Sequence, residues 1–184
     1  AILPRLVGSE MCIRDSHIGD HFDMPSLSSW DVGKKSFEGR RYTADIEAGI
    51  KGMEAFINPI REEQQRLIKN KQKQWNPRLV YTIGNHEQRI ERAIEADPKL
   101  DGLISYDDFK LDEFGFEVYD FLDVAVVDGI AYSHYFTSGV MGRPVSSARN
   151  MLAKKMMSCI MGHVQDRDIA LSLIHISEPT RRVR

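Results

Sequence analysis

The chain has 184 residues, a formal net charge of −2, 42% hydrophobic residues and 28% charged residues. That length is ample for one domain with a buried core, and the composition is that of a globular protein. No apolar run approaches the roughly 18 residues of a membrane span, and the near-neutral balance excludes a protein whose main work is coating nucleic acid, though not a nuclease that grips a few phosphates.

Both ends read as non-native. Residues 6–16 are LVGSEMCIRDS and residues 171–181 are LSLIHISEPTR. One DNA string encodes the first, and its reverse complement, read in frame, encodes the second; that string resembles the transposase adapter used to prepare sequencing libraries. The expected organisation is a partial domain over residues 17–170, with adapter-derived flanks over 1–16 and 171–184. Inside that span Cys159 is the one cysteine, so no intrachain disulfide can form there and a reducing, cytoplasmic setting is expected.

In chain order, His17-Ile18-Gly19-Asp20 reads as a strand end running into a loop. Thr43 can cap a helix whose Ile46, Ile50, Met53 and Ile57 form one apolar stripe. Asn58-Pro59 is expected to end that helix and begin another, because Asn caps well and Pro is tolerated at the first helical position. Glu62 and Glu63 then fall in its first turn and Lys69, Lys71 and Lys73 towards its end, as the helix dipole favours. Asn76-Pro77 closes the segment. Residues 78–83 (RLVYTI) predict a short buried strand. It runs into Gly84-Asn85-His86-Glu87 and a helix through Ala96. Residues 116–119 and 124–127 predict strands, Asp128-Gly129 a hairpin turn, and residues 130–133 the returning strand that ends at His134. A helix over 145–157 and a strand over 158–161 follow, the latter ending at Gly162-His163.

Four times an apolar strand runs out into Gly or Ser followed by a metal-capable side chain: Asp20, Asn85, His134 and His163. Loops at strand ends are where α/β folds place their chemistry. Each motif alone also reads as ordinary structure. Gly19 to Asp23 can be a turn with solvated acids, Asn85 a helix cap, His134 a core histidine, and Gly162-His163-Val164-Gln165 a strand-end turn.

The series GDxxD (residues 19–23), GNHE (84–87), a lone His after a strand (His134) and GH (Gly162-His163) resembles the calcineurin-like metallophosphoesterases across nearly all of residues 19–165. GNHE is its most diagnostic member. The resemblance implies an α/β fold, a layered sandwich of two mixed β-sheets flanked by helices. It implies metal-dependent hydrolysis of phosphate esters at two divalent cations (Mn, Fe or Zn), as a phosphodiesterase or nuclease or as a phosphomonoesterase. Asp20 would bridge the cations, and Asn85, His134 and His163 would bind one of them. Gln165 stands where many members have a second His, and its carbonyl oxygen can coordinate or leave the place to water. His86 would stabilise phosphoryl charge and protonate the leaving oxygen, with Asp23 holding its ring.

The two predicted helices between the first motifs, together with residues 33–42, resemble phage-type and bacterial members more than the protein phosphatases. In the latter an Arg follows GDxxD; here Met24-Pro25 follows, which argues against a phosphoprotein substrate. The family opens with Asp-x-His on its first strand. The chain is read as having none before Asp20, which is taken as truncation at residue 16, so little or no activity is expected of it as it stands. Lys34, Lys35, Arg40 and Arg41 form the densest basic cluster, either a solvated loop or a phosphate-gripping flap that would favour nucleic acid. Arg143 is a weaker element of the same kind. No membrane partner is expected. The rival reading is a non-catalytic binding module that keeps the fold.

Overall fold

The computed structural model describes residues 15–164 and 166–171. In chain order its elements are β1 (Asp15–His17), α1 (Tyr42–Lys69), β2 (Leu79–Thr82), α2 (Arg89–Ala96), α3 (Leu111–Phe114), β3 (Phe116–Tyr119), β4 (Ala125–Val127), β5 (Ile130–Ser133), β6 (Thr137–Ser138), β7 (Arg143–Pro144), α4 (Ala148–Lys155) and β8 (Ser158–Met161). Among the described residues this is an α/β arrangement of four α-helices and three small sheets, and none of the helices is long and apolar enough to cross a membrane.

The first sheet has the order β1-β2-β3 and is wholly parallel. Parallel neighbours need a crossover, which α1 supplies between β1 and β2, and α2 with α3 between β2 and β3. The second sheet has the order β4-β5-β8. β4 and β5 form an antiparallel hairpin, and both turn residues, Asp128 and Gly129, have positive φ (52° and 78°), which matches the right-handed twist of the flanking strands. The chain then returns through α4 so that β8 lies parallel to β5, with Ser133 opposite Met161. β6 and β7 form a two-stranded ribbon.

Alternation along β2 explains how both faces of the first sheet are covered. Tyr81 joins Phe22, Met53, Ile57, Ile83, Ile90, Phe109 and Phe116 in the main core beneath α1. Val80, on the opposite face, packs with Ala125 and Val127 of β4, so the two sheets meet through these side chains. A strand buried on both sides reads as a continuous apolar run, as residues 79–83 do. The second sheet also packs on α4, where Ala131, Val145, Phe136 and Met151 form a separate cluster.

Two expectations need correction. Asn58-Pro59 does not divide the first helical segment: α1 is one helix of 28 residues with Pro59 inside it. Proline there removes the N–H that would bond to the Ala55 carbonyl and crowds that oxygen, at a cost of ~3 kcal/mol. Anchors on both sides outweigh it: Gly49, Met53 and Ile57 are buried before it, and Ile60 packs on the same core after it. Arg61 also donates to the Glu113 carbonyl oxygen at 3.2 Å. Thr43 therefore lies inside the first turn, with Arg41 at the cap position, and Lys71 and Lys73 fall beyond the helix end.

The helix expected over 145–157 is shorter. Ser147 caps α4 by accepting from the Asn150 N–H at 3.3 Å, Val145 is buried in the preceding loop, and the left-handed Met156 ends the helix. Asp15 and Ser16, which fall within the flank drawn over 1–16, pair with Leu79 and Val80 in β1. Residues 1–14 and 172–184 lie outside the described residues.

Gly49 shows how tightly α1 sits on the loop after β1. A Cβ there would lie 2.0 Å from Cδ1 of Phe22, a fully buried ring stacked on Phe109 at 4.2 Å. Gly49→Ala is expected to destabilise the fold by about 1–3 kcal/mol through overpacking, despite alanine's better helix propensity. A urea melt followed by circular dichroism measures it, and an unchanged midpoint would contradict this packing.

Candidate metal centre

The carboxyl ends of four strands converge. β1 and β2 of the first sheet lead into Asp20 and Asn85; β5 and β8 of the second lead into His134 and His163. The glycines beside them allow the approach. A Cβ on Gly84 would lie 2.4 Å from the Asp20 N and Oδ1, and one on Gly19 would lie 2.6 Å from the Gly84 Cα. Asp20 and His163 themselves take left-handed backbone, with φ of 60° and 63°. Sparsely populated conformations of this kind cost free energy and persist where the surroundings over-determine them.

Within the cluster, His134 is 1% exposed. Its Nδ1 lies 2.7 Å from the Ile18 carbonyl oxygen, which can only accept, so Nδ1 carries a proton; in the neutral ring Nε2 then presents a lone pair. That lone pair faces Asn85 Oδ1 at 2.8 Å and Asp20 Oδ2 at 3.5 Å. His163 Nδ1 lies 2.7 Å from the same Asn85 oxygen and 3.3 Å from His134 Nε2. Burial, then the neighbouring His134, lowers the His163 pKa, which favours its neutral, ligating form. Ligand atoms of Asp20, His134 and His163 all lie within 4.8 Å of one another.

Beside the cluster, His86 donates its backbone N–H to Asp20 Oδ1 at 3.1 Å, and its ring Nδ1 meets Asp23 Oδ1 directly. Nε2 is then the ring nitrogen with no partner among the described residues. Arg89 donates from Nη1 to the Asp23 carbonyl oxygen at 2.5 Å and lies 3.5 Å from its carboxylate, fixing the loop that carries it.

Beneath the site Glu87 is fully buried. Its Oε2 accepts from the backbone N–H groups of Asp20 (2.9 Å) and Gly84 (3.0 Å); its Oε1 accepts from the Phe22 N–H (3.0 Å) and the Tyr81 hydroxyl (2.6 Å). Burial, followed by Glu87, raises the Tyr81 pKa, so Tyr81 stays protonated and donating. One carboxylate thus laces the loop after β1 to the loop after β2. The sequence reading assigns Glu87 no role; the signal is its place in the turn that leads into α2, three residues before the buried Ile90.

A second omission is an Asp-x-His. Asp15-Ser16-His17 occupies β1, and setting aside residues 1–16 hides it. The His17 ring stacks on Tyr81 at 4.8 Å and meets His21 edge-on at 5.1 Å, and is not one of the clustered donors. Burial first, and His21 second, bring its pKa down to about 4.

Of the basic cluster, Lys34 and Arg40 both pair with Asp31, at 3.0 and 2.8 Å. Hydrogen bonds from Arg40 and Lys34 hold the Asp31 carboxyl down to about 2. The loop is therefore tied to itself, and part of its charge is neutralised. Lys35 and Arg41 have no carboxylate partner among the described residues; Arg41 donates to the Arg40 carbonyl oxygen. Arg143 lies on β7, and Gln165 lies outside the described residues. Comparison of the chain with protein-family models, with curated proteins and with solved structures gives no match, so the site stands on its own geometry.

Proposed function

We propose that the chain hydrolyses phosphate esters at a metal centre built on Asp20, Asn85, His134 and His163; the expectation of inactivity rested on a missing Asp-x-His, and β1 carries Asp15-Ser16-His17. One observation carries this reading: the proton on His134 Nδ1 leaves Nε2 as an acceptor aimed at two other acceptors, Asn85 Oδ1 and Asp20 Oδ2. Acceptors that converge repel one another unless a cation lies among them. A mixed imidazole, amide-oxygen and carboxylate set suits Mn, Fe or Zn better than Ca. A divalent cation would supply Lewis-acid polarisation of the phosphoryl group and activation of water. The chain's own part is to hold the ester beside Asn85 and to deliver a proton from His86 Nε2 to the leaving oxygen, with Asp23 fixing the ring.

The wider reading includes two parts drawn from the motif series: a second cation bridged by Asp20, and a sandwich running from α1 through the two sheets to α4. The contacts between Val80 and β4, and between α4 and the second sheet, are compatible with that layering.

The rival is a binding module without a metal. With the Asn85 amide turned over, its NH₂ would satisfy both imidazoles and no cation would be needed. Equilibrium dialysis against Mn²⁺ and Zn²⁺ separates the two. The chain is expected to bind at least one ion, and Asn85→Ala or His134→Ala to weaken binding by at least about tenfold. A parent chain that binds neither ion would establish the rival. Cleavage of bis-p-nitrophenyl phosphate against the mono-ester then distinguishes a diesterase from a monoesterase.

A further inference from the structure

A cavity of about 290 Å³ opens beside Asn85, between the outer side of α2 and the loop that follows the turn at Pro25–Leu27. Its walls carry Arg89 and Arg92 from α2 and Trp30 and Phe37 from the loop, and no carboxylate lines it. In a chain with more acidic than basic residues that absence selects for anions.

The two guanidinium groups differ. Arg89 is engaged with the Asp23 loop. Arg92 bonds through Nε and Nη2 to one neutral acceptor, Gln88 Oε1, at 3.1 and 2.6 Å, and no carboxylate pairs with it among the described residues. Its charge is held in place and uncompensated. Trp30 is 82% exposed although it borders the cavity. A large indole face left in water is a surface that a flat ring would cover favourably. The larger cavity, of about 590 Å³ between α4 and β8, is lined by none of the four clustered donors.

We propose that the smaller cavity is a nucleoside subsite: a nucleobase stacks on Trp30, Arg92 holds a phosphate of the same nucleotide, and the reacting phosphate reaches Asn85 and His86. A sugar phosphate would leave Trp30 unused, and an uncharged aromatic would leave Arg92 unused. The volume admits one nucleoside, below the range of drug-sized pockets. The inference gives a substrate class to the hydrolase reading and rests on it for the chemistry, but not for the binding.

The test is binding to the full chain in EDTA, so that neither metal nor turnover enters. Saturation-transfer NMR compares thymidine 5′-monophosphate with thymidine and with 2-deoxyribose 5-phosphate. The nucleotide is expected to bind at least about tenfold more tightly than either fragment, since each fragment lacks either the stacking base or the phosphate. Trp30→Ala and Arg92→Gln, both at exposed positions where folding is not at stake, should each erase most of that preference. Equal affinity for the nucleotide and the sugar phosphate, or an unaffected Trp30→Ala variant, overturns the subsite. If nucleotide binding holds but the p-nitrophenyl ester of thymidine 5′-phosphate is not cleaved with Mn²⁺, the hydrolase reading fails and the subsite stands.

Discussion

His86→Ala is expected to lower phosphate-ester turnover by about 10²–10⁴-fold while leaving metal content nearly unchanged. The two effects separate because His86 does two things with different atoms. Its backbone N–H holds Asp20 Oδ1, and that bond survives the substitution. The donors Asp20, Asn85, His134 and His163 therefore keep their places. What disappears is the imidazole ring steadied by Asp23, and with it the proton donor that the proposed mechanism requires. Metal analysis and steady-state kinetics on the same preparation read both quantities. Retained turnover would remove His86 from the mechanism. Loss of the metal as well would mean that the ring shapes the cluster instead of donating a proton.

Glu87→Ala is expected to cost more stability than any other single truncation near the site. Four donors point at this carboxylate inside the protein, three of them backbone N–H groups that cannot turn away. Each buried donor left without an acceptor costs about 1–3 kcal/mol, and a typical domain has only about 5–15 kcal/mol in all. The variant should therefore be largely unfolded or lose most of its urea resistance. Glu87→Gln should fall between the two, because its oxygen can still serve one pair of donors while its NH₂ faces the other pair. Chemical denaturation followed by circular dichroism orders the three proteins. A Glu87→Ala midpoint close to the parent's would show that water reaches these groups.

Much of the strand framework was legible. Residues 79–82, 116–119, 130–133 and 158–161 carry short β-rich runs between turn signals, and each forms a strand. The strand exits were legible for the same reason, since a polar residue after Gly or Ser interrupts an apolar run visibly. What sequence could not show is which runs lie side by side. Nothing local to Val80 says that its partner is β4, more than forty residues on, and the docking of the two sheets is what brings Asn85 to His134. Pro59 was misread because its cost is local while the packing of Met53, Ile57 and Ile60 that outweighs it is not. Glu87 is not legible because a glutamate at a helix start is ordinarily a solvated charge, and two of its four donors, the Asp20 and Phe22 N–H groups, come from a stretch more than sixty residues away.

The division of the donors between the sheets, two from each, carries a consequence for assembly. Neither sheet alone can present the set, so the cluster exists only while the two are docked. Asp20 and His163 are also separated by most of the described chain, so closing that loop is among the last entropic hurdles in folding. Any cation gathered by all four residues would act as a clasp on the seam, contributing about 2.7 kcal/mol at a hundredfold excess over its dissociation constant.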